Sequence, residues 1–174
     1  MSSRSPGLQK ALDRQAIREL LARYCRGIDR LDRALIESTY WPDAFDDHIF
    51  YRGDPAGFLD YVIPYLRPMR TQHFIGNVLI EFLTPSLATG ETYAIAYHRV
   101  PSAFSAEELV AGVRYLDRFE KRGNAWRISE RVVCIDFSRR TAVAESPLIE
   151  GMACRGARYP EDPLYTLHPG LSPH

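Results

Sequence analysis

The hydrophobic period of this chain changes once, near Thr71, and that single switch limits the folds open to it. Upstream, Ile17, Leu20, Leu21, Tyr24, Cys25 and Ile28 recur at helical spacing and form one apolar stripe. Asp13 reads as the N-cap of this helix, which Gln15 and Ala16 begin and which loosens at Gly27 and Asp29. Asp32 then caps a second helix through Leu35, Ile36 and Thr39, which Pro42 stops. Phe45 to Tyr51 reads as a short strand, and Arg52-Gly53-Asp54-Pro55 as a turn. Phe58, Tyr61, Val62 and Tyr65 mark a third helix, closed by Pro64 and Pro68. Downstream of the switch, apolar residues alternate in four long runs, about 71–83, 90–101, 108–122 and 125–138. Pro85-Ser86 with Gly90, Pro101-Ser102 and Arg122-Gly123-Asn124 supply the turns between them. Helices followed by a long meander predict an α+β fold, with N-terminal helices packed on a strongly curved, mainly antiparallel sheet. Such a sheet makes a cone-shaped α+β barrel with one open mouth, a natural small-molecule pocket. The barrel domain is assigned to residues 1–138, and 139–174 to an extended tail carrying Pro147, Pro160, Pro163, Pro169 and Pro173.

The charges narrow the function. Twenty-two basic residues balance 22 acidic ones, and the arginines are dispersed, so no partnership with nucleic acid or membrane is expected. Met1 to Lys10 holds no apolar signal region, and no run approaches the ~20 apolar residues that span a bilayer. Cys25, Cys134 and Cys154 lack CxxC spacing and are odd in number, which points to a reducing, cytoplasmic setting. The chain has no GxGxxG, P-loop or GxSxG motif, so neither a nucleotide cofactor nor an α/β-hydrolase triad is expected.

What remains is acid–base chemistry. By helical phase Asp29 lies beside the apolar stripe at a helix C-terminus, where the macrodipole disfavours an unpaired carboxylate. A solvated end paired with Arg26 or Arg33 is the plainer reading of that position. Alternation places His73 with Ile75, Asn77 and Leu79 on one strand face. His48 with Asp43, Asp46 and Asp47 invites a metal, but adjacent Asp46 and Asp47 point to opposite faces of a strand, so no metal site is assigned. His98 is a candidate second histidine for the cavity, and Asp117 with Arg131 a candidate structural ion pair.

The pattern resembles the SnoaL-like branch of the nuclear transport factor 2-like superfamily, which includes scytalone dehydratase, bile-acid 7α-dehydratase and hexachlorocyclohexane dehydrochlorinase. The resemblance rests on Ile28-Asp29-Arg30 after an amphipathic helix, Gln72-His73-Phe74 at the start of the first long strand, and Tyr40-Trp41-Pro42-Asp43-Ala44-Phe45-Asp46-Asp47-His48 between them. It spans roughly residues 10–138. It implies an Asp29–His73 base assisted by Tyr24, with Tyr40, Trp41, His48, His98, Tyr115 and Arg131 as substrate-binding candidates. The activity it implies is a cofactor-independent lyase that eliminates water, or a similar leaving group, from a hydrophobic alicyclic, steroid-like or polyketide-like molecule. An isomerase of the ketosteroid type and a non-catalytic subunit, such as the small subunit of a ring-hydroxylating oxygenase, are the alternatives. Apolar residues on both faces of 93–97 and 132–137 predict a homo-oligomer built on the outer sheet face, a trimer rather than a dimer by the resemblance.

Overall fold

The computed structural model describes residues 5–101, 106–144 and 155–167. Helix α1 (Pro6–Arg30) starts well before the apolar stripe, with Ser5 as N-cap and Pro6 opening its first turn. Asp13 therefore does not cap it. That carboxylate is buried and accepts from Lys121 Nζ at 2.7 Å and Trp126 Nε1 at 2.9 Å, stitching the helix to the sheet. Leu8 and Leu12 of the first turns are exposed and out of phase with the Ile17–Ile28 stripe, which is why the sequence pattern reveals only the later part of the helix. Leu31 ends it in the left-handed region (φ 53). Gly27 is needed for contact: a Cβ there would meet Ile36 Cγ1 at 2.7 Å, where α2 (Arg33–Glu37) crosses. Asp32 caps α2 by accepting from Leu35 N, as the sequence predicts.

Pro42 stops no helix. It lies inside strand β1 (Tyr40–Asp47), at a register shift between Tyr40 and Phe45 where the missing N–H costs no ladder bond. After β2 (Arg52–Gly53), Asp54 caps α3 (Pro55–Leu66), which keeps Pro64 in its last turn. Four long strands follow: β3 (Arg70–Thr84), β4 (Leu87–Val100), β5 (Ala106–Arg122) and β6 (Ala125–Val143). The last outruns the boundary at 138 read from the sequence.

The six strands form one unclosed sheet in the order β2-β1-β6-β5-β4-β3. All neighbours are antiparallel except β1 and β6, which run parallel. Bulges in β3 between Ile75 and Val78, and in β6 at Asp136 opposite Gly112 and Val113, bend the long strands into a cone around the helices. The core lies between α1, α3 and the inner sheet face, with Ile17, Leu21, Ile36, Phe58, Leu59, Phe119 and Ile128 at its centre. On the outer face Phe74, Leu79 and Phe137 remain exposed.

The described part of the tail docks rather than trails away. Short helix α4 (Pro163–Leu167) places the Tyr165 hydroxyl on Asp32 at 2.9 Å, and Asp162 pairs with Arg30 at 2.9 Å. Arg158 gathers the backbone carbonyls of Asp29 at the end of α1, Leu66 at the end of α3 and Met69 just before β3. Cys154, Pro147, Pro169 and Pro173 lie outside the described residues. Among the described residues, no helix is long and apolar enough to cross a membrane.

Candidate active site

Helix α3 and the inner face of the sheet enclose a cavity of ≈ 330 Å³, at the lower end of the range usual for small-molecule sites. Its wall is mainly apolar: Phe58, Tyr61, Val62, Tyr65 and Leu66 from α3, facing Ala96, Leu109, Ala111, Val113 and Val133 from the strands. Tyr24, His48, His73, His98 and Tyr115 bring polar atoms to it.

At one end, Asp29 and His73 meet. Asp29 is the penultimate residue of α1, and β3 runs alongside with His73 near its start. One carboxylate oxygen lies 2.7 Å from His73 Nδ1, and the other accepts the His73 backbone N–H at 2.9 Å. The two bonds fix the ring through both its backbone and its side chain. Burial pushes the Asp29 carboxyl up, but the His73 ring, its backbone N–H and Thr71 outweigh that and hold it below the usual carboxylate range. An ionised Asp29 makes Nδ1 the donor. In neutral His73 the lone pair is then on Nε2, which has no partner among the described residues. His98, on β4 and edge-to-face with His73 at 5.7 Å between ring centroids, keeps a buried Nδ1 without a hydrogen-bond partner. Burial and the neighbouring His73 push its pKa down to about 4, so it is a neutral imidazole at pH 7.

A second carboxylate–imidazole pair stands elsewhere on the same wall. Fully buried Asp46 lies 2.6 Å from His48 Nδ1 and accepts the Tyr40 hydroxyl at 2.6 Å. His48 Nε2 in turn lies 3.2 Å from the Tyr24 hydroxyl, and its ring stacks on Phe58 at 4.3 Å. Burial raises the Asp46 carboxyl, while His48, Tyr40 and Arg131 bring it below its ordinary value. Desolvation holds the Tyr24 phenol far above its ordinary range, so Tyr24 keeps its proton at rest.

Beneath Tyr24 lies Arg131, fully buried and bidentate to Asp117 at 2.7 and 2.8 Å. The two residues face each other directly across β5 and β6. The guanidinium lies over Tyr24 at 4.1 Å and Tyr115 at 4.4 Å from the ring centroids. Burial works against its charge, but Asp117 and the surrounding tyrosines hold its pKa well above the ordinary value.

Asp29, His73, Tyr24, His48, His98 and Tyr115 thus gather at or just behind the cavity wall. Tyr40, Trp41 and Arg131 do not line it. Tyr40 supports Asp46, and Arg131 supports Tyr24 and Tyr115 from behind. Trp41 donates Nε1 to the Glu120 carbonyl at 3.0 Å and lies between the cations of Arg122 and Arg127. Sequence reasoning treated Asp46 only as a discarded metal ligand. Its spacing of two from His48 on a strand was the signal that both share a face. Tyr61 and Tyr65, which the sequence marks only as part of a third helix, stack at 6.1 Å and line the cavity. Among the described residues, no group of three His, Cys, Asp or Glu side chains is placed to hold a metal ion.

A model of the SnoaL-like domain matches residues 9–132. Hexachlorocyclohexane dehydrochlorinase 1 of Sphingobium indicum is 26% identical over 135 residues, which cover 75% of this chain and 86% of that protein. A crystal structure of a type 2 hexachlorocyclohexane dehydrochlorinase superposes with TM-score 0.74 at 22% identity, covering 84% of this chain and 99% of that one. A protein from Novosphingobium aromaticivorans described as a scytalone dehydratase gives TM-score 0.66 at 15% identity, covering 79% of this chain and 93% of that one. The match to the domain model takes in α1, all of α3 and most of the sheet, including both carboxylate–imidazole pairs, and the chain belongs to the SnoaL-like family.

Proposed function

We propose that this chain is a cofactor-independent lyase that uses Asp29 and His73 as a general base on a hydrophobic, alicyclic small molecule. The observation that carries the reading is a histidine on the wall of an apolar cavity, held by two bonds to one carboxylate and keeping its second ring nitrogen without a partner among the described residues. His73 Nε2 takes a proton from a carbon flanking the leaving group. Asp29 keeps the tautomer and stabilises the imidazolium that forms. Tyr24 meets the departing group, and the tyrosines of α3 hold the rest of the substrate by apolar contact. The names of related proteins, a dehydrochlorinase and a dehydratase, support elimination as the reaction class. An isomerase with a carboxylate base has less support. No Asp or Glu among the described residues lines the cavity, and the sheet carboxylates Asp46 and Asp117 are committed to His48 and Arg131.

The test is a panel of β-hydroxy and β-chloro alicyclic ketones, assayed for enone formation with the unmodified protein and His73→Ala. Turnover that falls ~10²–10⁴-fold in the variant supports a general base. Turnover unaffected by the substitution, or no turnover of any panel member, favours a binding module instead. The exposed Phe74, Leu79 and Phe137 support a homo-oligomer built on the outer sheet face, a trimer by family resemblance. Light scattering that returns a 19.9 kDa species contradicts that assembly.

A further inference from the structure

We propose that Asp46 and His48 form a proton relay behind Tyr24, so that the cavity wall carries an acid device as well as a base, and that the relay serves an oxygen leaving group. The inference rests on the elimination reading and adds two residues that reading leaves unused.

Both nitrogens of His48 are engaged, Nδ1 by Asp46 at 2.6 Å and Nε2 by the Tyr24 hydroxyl at 3.2 Å. With Asp46 ionised, Nδ1 carries a proton in either state of the ring. The state of Nε2 then decides what Tyr24 offers the cavity. A neutral His48 accepts the Tyr24 O–H, so only phenol lone pairs face a ligand. A protonated His48 donates to the phenol oxygen, and the Tyr24 O–H is released to donate into the cavity. Packing locks the ring for this exchange, with Phe58 stacked on one face. Tyr40 holds the second oxygen of Asp46 at 2.6 Å and so fixes the carboxylate plane. Arg131, 4.1 Å from the centre of the Tyr24 ring, opposes the negative charge that collects on the phenol oxygen during transfer.

The step balances. His73 Nε2 takes the proton from carbon, and the C–H pair becomes the new C=C bond. The C–O bond breaks with its pair going to oxygen, which takes the Tyr24 proton and departs as water. Tyr24 recovers its proton from His48 Nε2. The enzyme is left with His73 protonated and His48 neutral, and exchange with solvent restores both. Chloride leaves as a stable anion and needs no proton, whereas hydroxide is a poor leaving group unless protonated. A buried relay of carboxylate, imidazole and phenol is therefore chemistry for a hydroxyl-bearing substrate. His48 and Asp46 act through Tyr24, as positioning and proton-supplying residues.

The test has two arms. In the first, 4-hydroxy-2-decalone and 4-chloro-2-decalone are compared in the unmodified protein and in His48→Gln. The relay predicts that the substitution lowers kcat for the hydroxy compound at least ~10²-fold more than for the chloro compound, as loss of acid assistance does. Equal losses for the two, or none, overturn it. The second arm is independent of turnover and uses His73→Gln as background, with 2-naphthol and naphthalene as probes. Adding His48→Gln should weaken 2-naphthol ~10-fold relative to naphthalene, the worth of one good hydrogen bond. An unchanged ratio, or no preference for 2-naphthol to begin with, overturns the relay. Asp46→Asn separates the relay from packing. Its amide N–H donates to Nδ1 and forces the imidazole proton onto Nε2, so 2-naphthol preference should survive while kcat for the hydroxy compound falls. Should neither decalone turn over while the naphthol ratio still shifts, the lyase reading fails and takes the relay's service to a leaving group with it, leaving His48 as the residue that sets the hydrogen bond Tyr24 offers a ligand.

Discussion

The cavity holds two carboxylate–imidazole pairs of nearly equal geometry, and they do opposite things with the second nitrogen. In Asp29–His73, on the cavity wall, the contact is 2.7 Å and Nε2 has no partner among the described residues, an arrangement that leaves it free to take a proton from a ligand. In Asp46–His48 the contact is 2.6 Å, but Nε2 is spent on Tyr24, so the imidazole reaches a ligand only through the phenol. The same two residue types therefore give a base or a relay according to what stands beyond the ring. The surroundings differ to match. The first pair is built from a helix end and a strand start and is backed by the docked tail. The second is embedded against a fully buried arginine and three tyrosines, in a region with no slack.

The sharpest way to break this comparison is to delete each ring in turn. His73→Gln should abolish proton abstraction whatever the leaving group, a loss of ~10²–10⁴-fold in kcat/KM, and Asp29→Asn should follow it through the wrong tautomer. Equal sensitivity of every substrate to His48 and His73 would erase the distinction. Next comes the foundation of the second pair. Arg131→Met should destabilise the protein by about 3–5 kcal/mol, because it strands buried Asp117 without its partner. Adding Asp117→Leu should recover most of that, since the penalty is the unpaired charge. Urea midpoints at constant m-value measure both.

The third effect belongs to the first pair's neighbour. His98 is neutral in the fold, with burial and then His73 lowering its pKa to about 4 from an ordinary 6.5, and Asp29 opposing the shift. Between pH 6.5 and 4 the unfolded chain binds a proton at this residue that the folded chain refuses. Stability should fall as pH drops through that window, by about 2–3 kcal/mol. His98→Gln should flatten that part of the profile. Asp29 and Asp46 carry depressed values, so their contribution is present at neutral pH and disappears only at lower pH, below the ordinary carboxylate range. The two windows are separable by urea titration at several pH values. The smallest effect separates the pairs by their backing. Arg158→Ala removes donors from the Asp29, Leu66 and Met69 carbonyls and should cost about 1–2 kcal/mol. It should lower turnover through Asp29 while leaving the fluorescence of Tyr24-bound 2-naphthol unchanged.

The same contrast explains how far the sequence could be read. The stripe from Ile17 to Ile28 and the alternation after Thr71 announce helix and sheet because each buries one face, and their order implies helices on a meander. Asp29 and His73 were legible as candidates by phase and face, and family resemblance joined them. Neither periodicity nor spacing could place them 2.7 Å apart across 44 residues of chain. The start of α1 was not legible, because Leu8 and Leu12 lie off the buried stripe and the contacts of Asp13 come from Lys121 and Trp126, more than a hundred residues along the chain. Pro42 misled for a similar reason: a bulge in β1 accommodates it, and bulges have no sequence period. Arg131 was legible in two ways, as a substrate-binding candidate and as the structural partner of Asp117, and its complete burial decides for the second; Tyr40 was legible only as a candidate and not as the support of Asp46. The Asp46–His48 pair was open to the rule of alternation, and a search for metal ligands obscured it.

The central claim is that His73, held by Asp29, is a base toward ligands in this cavity. Exchange of α-protons for deuterium in 2-decalone, followed by NMR in D2O, tests it without any leaving group. The account expects the unmodified protein to exchange those protons at least ~10²-fold faster than buffer, with His73→Gln returning the rate to that of buffer. Equal exchange by the protein and the variant would contradict it.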